Sequence, residues 1–401
     1  MLSTFKNPWL WILSICTLVP SLRPIFKYLH SPIVFIALPV YCGAVISVNV
    51  ALIHVLAKKK IPGFFNSKIP FVFLLTVIAL VNFFAYPIAD NLKKDMRGSD
   101  QDDAIVETGQ MLLSGHNPYH AKLYTGNPIS PGPGIIILSL PFANYARYFL
   151  LTPCVLLIIG VCIVRLTSFA FANIFFAFMT SSFAFWEIMI VGSDMIAIGL
   201  LFAIATLWLF SSQGTTESSA LRALHSVKPF QALSLIGAIV FIALVATSRI
   251  IFVGLLPLWA LFVFKINKCF GLIFFSISAV LTLGLHYLFY MQGALAYSPF
   301  HVISKGSHLM GPLLTVFGLI CMAVIGIWIL LKTKPTLPSW MLSLSLGCAA
   351  PLSFVALGDL VTRHWNLAKW EGANYLIIFI PLFYLYYLLN AAVCCNGKAL
   401  K

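Results

Sequence analysis

The stretch "PIVFIALPVYCGAVISVNVALIHVLAKKK", Pro32 to Lys60, runs from residue 32 to residue 57 without an Asp, Glu, Lys or Arg and then stops at three consecutive lysines. At a rise of about 1.5 Å per residue, such a run crosses the roughly 30 Å hydrocarbon core of a bilayer as a helix. Lipid offers the backbone no water, so each N–H and C=O must be satisfied within the segment, and a helix does this. The lysines mark a polar edge.

The rest of the chain repeats the pattern. It is 61% hydrophobic and 9% charged, with 34 Phe and a mean hydropathy of +0.98. Apolar runs near 9–22, 69–89, 148–166, 169–190, 194–211, 231–247, 250–265, 269–290, 312–331, 340–357 and 374–395 join the first. The fold class predicted is all-α, a polytopic transmembrane helix bundle of about 12 spans, within about two. Pro20 and Arg23 are expected to cut the first run short, and "IIILSLPFANYAR" near 135–147 is too brief to cross and reads as interfacial or re-entrant. The chain divides into N-terminal transmembrane helices over 1–89, an acidic, Pro/Gly-rich outer loop with interfacial helices over 90–147, and the remaining helices over 148–401, with outer loops near 291–311 and 358–373. Lys6 before an apolar run resembles a signal peptide, but no small-x-small cleavage site follows, so the segment is read as an anchor.

A net charge of +14 could suggest a nucleic-acid binder, but the basic residues come in small groups between apolar runs, with no basic domain to hold a polyanion. They read as topology signals. Lys58 to Lys60 with Lys68, Arg165, Arg222 with Lys228, Lys265 with Lys268, Lys332 with Lys334, and Lys398 with Lys401 fall on one side of the twelve-helix plan. This predicts an integral plasma membrane protein of the bacterial inner-membrane type with both termini cytoplasmic. Arg23 and Lys27 land outside and count against the plan. The nine cysteines show no paired spacing in an outer loop, which argues against a disulfide framework or a zinc site.

The acidic residues are the anomaly. Six of the eleven lie between Asp90 and Glu107, and only Glu217 falls on the inner side of the plan. Apolar residues from Ala104 to Leu113 recur at roughly helical spacing before "SGHNPY", so a short amphipathic helix is expected along the outer surface, with its carboxylates at the N-terminal end. A helix dipole favours acids there, which makes Asp100, Asp102 and Asp103 a solvated cap in the plainest reading. Crowding with Glu107 also raises the pKa of at least one, which suits a general base. Oxygen ligands at short spacing suit a divalent metal as well, so one is possible at the acidic loop. Such a base would come from Asp100, Asp102, Asp103 or Glu107.

The following "NPYHAKLYTGNPISPGPG" is stiffened by proline and glycine, and with Glu107 its Asn117, Tyr119, Tyr124 and Asn127 make a sugar-facing surface, as interfacial aromatic and amide groups also would in an ordinary loop. Asp194 in "VGSDMIA" stands at a helix start, either as a cap with Ser193 or facing the same cavity as Glu187. Arg249 at a junction of two spans is expensive unless it faces water, a headgroup or a fixed anion. Arg363, His364 and Lys369 lie in "GDLVTRHWNLAKWEGANY", which mixes charge with indole rings as a sugar-and-phosphate surface or an aromatic belt does.

The order of an acidic first large loop, then "LLSGHNPY", then "YTGNPISPGPGIIILSLPF" resembles the loop pattern of integral membrane glycosyltransferases of the glycosyltransferase-C superfamily, in particular the bacterial enzymes that use polyprenyl-phosphate-linked mannose. "EIMIVGSDMIAIGLLFAIA" and "TSRIIFVGLLPLWALF" are similar to later parts of that group, so the resemblance covers about Asp90 to Phe262. The acidic loop here follows the third span, where those relatives place it after the first. The resemblance implies transfer of a mannose-like sugar from a polyprenyl-phosphate donor to a glycolipid, glycan or protein acceptor on the outer face, with inversion. An Asp of the loop would be the base, the matching candidates being Asp100, Asp102 and Asp103 with Asp100 and Asp102 ahead, and no cofactor would be required. It implies membrane lipids as surroundings and no nucleic acid as partner. The rival class is a transporter or flippase of lipid-linked sugars. Against it stand a nearly charge-free midplane and the lack of an internal repeat.

Overall fold

The computed structural model describes residues 6–29, 31–57, 61–95, 99–121, 123–212 and 229–396. All regular structure among them is helical. In chain order the helices are α1 (Pro8–Tyr28), α2 (Ile33–Ala57), α3 (Lys68–Asn91), α4 (Asp103–Leu113), α5 (Pro133–Leu138), α6 (Tyr145–Tyr148), α7 (Leu151–Leu166), α8 (Phe169–Thr180), α9 (Phe183–Ile190), α10 (Met195–Ser212), α11 (Pro229–Ala246), α12 (Leu256–Ile266), α13 (Lys268–Met291), α14 (His301–Lys332), α15 (Leu337–Thr362) and α16 (Ile380–Asn396). Tight 3-10 turns lie over Leu92–Asp95, Ile250–Leu255 and Glu371–Ile378. Lys58 to Lys60, Glu217, Arg222, Lys228, Lys398 and Lys401, used above for topology, lie outside the described residues.

Nine helical segments among the described residues are long and apolar enough to cross a membrane. The run 169–190 is broken by 80° between α8 and α9 and would be a tenth; Leu233–Ala246 and Ile250–Ile266 are shorter apolar helices. An integral membrane helix bundle is therefore the architecture. α10 is its centre: 78% of its apolar window is buried, and its Gly199 approaches the Ile378 backbone so closely that an added methyl group would meet the carbonyl oxygen at 2.2 Å. α14 is the opposite case, 11% buried. Its apolar face suits lipid rather than protein.

Two expected boundaries move. α1 does not end at Pro20 or Arg23 but continues to Tyr28. Arg23 and Lys27, on its last turns, reach Glu187 at 2.8 and 3.0 Å, so these charges are held by protein. α14 starts at His301, inside the segment expected as a loop to 311, and the break comes at Gly311 (φ 62°, ψ 174°), a backbone geometry that glycine adopts without a Cβ penalty. Pro312 follows the break as a helix start.

The acidic loop is packed against the bundle. α4 buries Asp103, Ala104, Ile105, Val106, Thr108 and Gly109, so the solvated-cap reading fails for its first turn. α5 lies on the end of α11: a methyl group on Gly134 would stand 1.8 Å from the Leu244 carbonyl oxygen, and one on Gly132 1.9 Å from that of Thr247. The Gly132 N–H donates to Ser248 O at 2.8 Å. "PGPG" is thus a seat for the turn that carries Arg249.

Candidate functional site

The three candidate aspartates separate into two environments. Asp102 precedes α4 but makes no side-chain cap; its Oδ2 instead accepts from Tyr86 Oη at 2.8 Å and from Lys93 Nζ at 2.7 Å. Asp103 Oδ1 accepts from the same Lys93 Nζ at 2.7 Å and from Tyr145 Oη at 2.9 Å, and that hydroxyl also lies 2.8 Å from Glu107 Oε1. Asp90 Oδ1 completes the ring around Nζ at 2.6 Å. Burial pushes the Asp102 carboxyl up to about 6 despite the Lys93 ammonium, with the Asp103 charge a lesser contribution. Crowding, the cause expected from sequence, is secondary to desolvation. Lys93 is raised: burial opposes its charge, and the carboxylates around it outweigh burial.

Asp100 stands apart. Its Oδ2 accepts from Thr125 Oγ1 and from Asn127 Nδ2, the latter at 2.7 Å, and neither bond engages Oδ1. With Asn127 it lines a cavity of about 680 Å³ that Asp102 and Asp103 do not reach. The stiff loop from Tyr124 to Pro131 therefore holds Asp100 at the cavity wall.

The cavity gathers cations from distant parts of the chain: Arg23 and Lys27 of α1, Arg249, and Lys305 of α14. Arg249 is 8% exposed, and its Nη2 donates to both oxygens of Asp194 at 2.7 Å, while Asp194 is fully buried behind it. Its Nη1 has no hydrogen-bond partner among the described residues. Arg23 Nη1 is spent on Glu187 at 2.8 and 2.9 Å, and its Nε likewise has none among the described residues. Arg249, buried, and Arg23, half-buried, thus line the same cavity, each held by a carboxylate and each with one shielded nitrogen left unpaired. Ala85, Ile88 and Ala89 of α3, with Pro24 and Tyr28 of α1, form an apolar wall. Tyr28 and Ile88 are more than half exposed, so this wall continues onto the surface of the bundle.

Other residues singled out from sequence take different places. Asn117 caps the short turn Pro118–His120, accepting from the Tyr119 N–H at 2.9 Å, and Tyr119 is buried against Phe289 and Tyr297. Tyr124 is partly exposed and outside the cavity lining. Arg363 lies 3.5 Å from Asp359 and 3.8 Å from Glu371. It is exposed, as are His364 and Lys369, and none of the three lines the cavity, whereas Glu371 does.

Lys93, Tyr86 and Tyr145 were missed because nothing local marks them; Lys93 is one of three basic residues, with Lys94 and Arg97, among the carboxylates of its segment. Arg23 and Lys27 were legible as charges but were assigned to topology. For a metal, the described residues offer Asp90, Asp102 and Asp103, with carboxylate oxygens within 4.8 Å of one another. No family model matches the chain, and neither does a curated protein or a solved structure.

Proposed function

We propose that this chain is a membrane glycosyltransferase that moves a mannose-like sugar from a polyprenyl-phosphate donor to an acceptor hydroxyl, as its loop pattern resembles that of the glycosyltransferase-C superfamily. The observation that carries the reading is the cavity: Asp100 shares it with Arg249 and Arg23, two arginines fixed by Asp194 and Glu187, beside an apolar wall that continues onto the lipid-facing surface. A prenyl chain fits the apolar wall and its phosphate the guanidinium groups.

Asp100 is the base. It takes the proton of the acceptor hydroxyl as that oxygen bonds to the anomeric carbon. The bond from that carbon to the phosphate oxygen breaks through an oxocarbenium-like state, and the electron pair leaves with the lipid phosphate, so configuration inverts. Arg249 and Arg23 meet the charge that grows on the phosphate, and Asp194 and Glu187 fix the two arginines before the reaction begins. Thr125 and Asn127 orient the Asp100 carboxylate. Asp102 and Asp103 brace the loop from outside the cavity.

The test is transfer of radiolabelled sugar from polyprenyl-phosphate-mannose to membrane acceptors. Wild type transfers, and Asp100→Asn does not while still inserting in the membrane. If wild type transfers no sugar from any polyprenyl phosphate, movement of lipid-linked sugars across the bilayer becomes the better reading of the same cavity.

A further inference from the structure

The Lys93 ammonium occupies the middle of the acidic cluster. It pairs with three carboxylates, Asp90 at 2.6 Å, Asp102 at 2.7 Å and Asp103 at 2.7 Å, contributed by the end of α3 and the start of α4. An ammonium has three donors and no acceptor; two of them are hydrogen-bonded here, to Asp102 and Asp103, and Asp90 is held as an ion-pair contact. The ligands are the hard oxygens that divalent cations choose, and the fully buried Asp102 keeps a second oxygen, Oδ1, without a hydrogen bond among the described residues. The cluster thus has the composition of a magnesium or manganese site with a lysine at its centre.

We propose that Lys93 is a built-in cation that takes the place of a divalent metal in this cluster, and that it acts as a positioning residue for the acidic loop. Being part of the chain, it needs no capture from solution. It sits one turn beyond α3, ties that helix to the first turn of α4, and so fixes the chain two residues after Asp100. Asp102 packs so tightly under Gly192 that a methyl group there would stand 2.8 Å from its Cβ, leaving it no alternative position on that side. With Nζ in place the centre of the cluster is filled by a cation and no divalent ion can enter there; with Nζ removed, three carboxylates face one another and recruit one. This inference does not depend on the reaction the cavity performs.

The experiment uses the full chain purified in detergent, wild type and the variants Lys93→Ala and Lys93→Gln, each with Mn²⁺ or with chelator. Bound manganese is read by electron paramagnetic resonance and folding by the thermal unfolding midpoint. Wild type is expected to hold no stoichiometric Mn²⁺ and to unfold at the same temperature in both buffers. The Lys93 variants should unfold several degrees lower in chelator, bind Mn²⁺ stoichiometrically and recover when it is added, and a further Asp90→Asn change should remove both responses. A helix merely loosened by losing a lysine would not respond to manganese. The proposal is overturned by stoichiometric Mn²⁺ on wild type that Asp102→Asn abolishes, by folded Lys93 variants indifferent to Mn²⁺, or by variants that fail to fold with and without it.

Discussion

Replacing Arg249 with Met separates the structural from the chemical role of the buried pair. Asp194 is fully buried and receives both of its side-chain contacts from Arg249 Nη2, at 2.7 Å each. Without the guanidinium the carboxylate is left charged and unpaired in the interior, at a cost of about 3 to 5 kcal/mol. That is roughly two to four decades in the folding equilibrium. Replacing both partners, Arg249→Met with Asp194→Asn, removes the orphaned charge and should restore most of that stability, since a buried pair is worth little beyond a neutral replacement. Unfolding midpoints in mixed micelles give the stabilities, and transfer from the lipid donor gives the function. The single variant should be unstable and inactive; the double variant should be stable and still inactive, because the guanidinium that lines the cavity has gone as well. A single variant as stable as wild type would refute the energetic reasoning. A double variant that retains full transfer would refute the role of Arg249 toward phosphate.

Two further outcomes follow from the same contacts. Because burial raises the folded-state pKa of Asp102 from 3.8 to about 6, the folded protein holds that proton more tightly than the unfolded chain. This stability is fully present below pH 3.8 and is lost as pH rises through about 6. At about 1.4 kcal/mol per pH unit it amounts to about 3 kcal/mol, so wild-type stability should fall by that amount relative to Asp102→Asn between those limits, as measured by unfolding across pH. Gly134→Ala places a methyl group 1.8 Å from the Leu244 carbonyl, so the end of α11 must shift; a loss of about 1 to 3 kcal/mol and weakened donor binding are expected, read by the unfolding midpoint and by retention of labelled lipid donor.

What the sequence made legible follows the physics of each signal. Hydrophobic runs are set by the bilayer one residue at a time, so the long helices could be read directly; the count of about twelve spans falls to nine among the described residues, because Leu233–Ala246 and Ile250–Ile266 are too short to count as spans and 169–190 is bent by 80°. Ion pairs carry no such local signal. Asp194 and Arg249 each stood out as costly charges, yet their pairing spans 55 positions and depends on the turn seated on Gly132 and Gly134. Arg23 and Lys27 looked like errors in the topology because a basic residue reports sidedness only when no partner holds it; here Glu187 holds both. The acidic loop was recognisable from composition, but the division of labour within it was not. Asp100 and Asp102 are two residues apart, and one faces the cavity while the other is buried on Lys93. The stretch with Arg363, His364 and Lys369 shows the converse: a promising mixture of residues turns away from the cavity, since composition does not fix direction.

The most direct test of the central claim measures donor binding and sugar transfer on the same purified samples of wild type, Asp100→Asn and Asp102→Asn. The account predicts that Asp100→Asn binds the polyprenyl-phosphate sugar as wild type does and transfers none of it, while Asp102→Asn retains transfer. Transfer that survives in Asp100→Asn and is lost in a folded, donor-binding Asp102→Asn would contradict it.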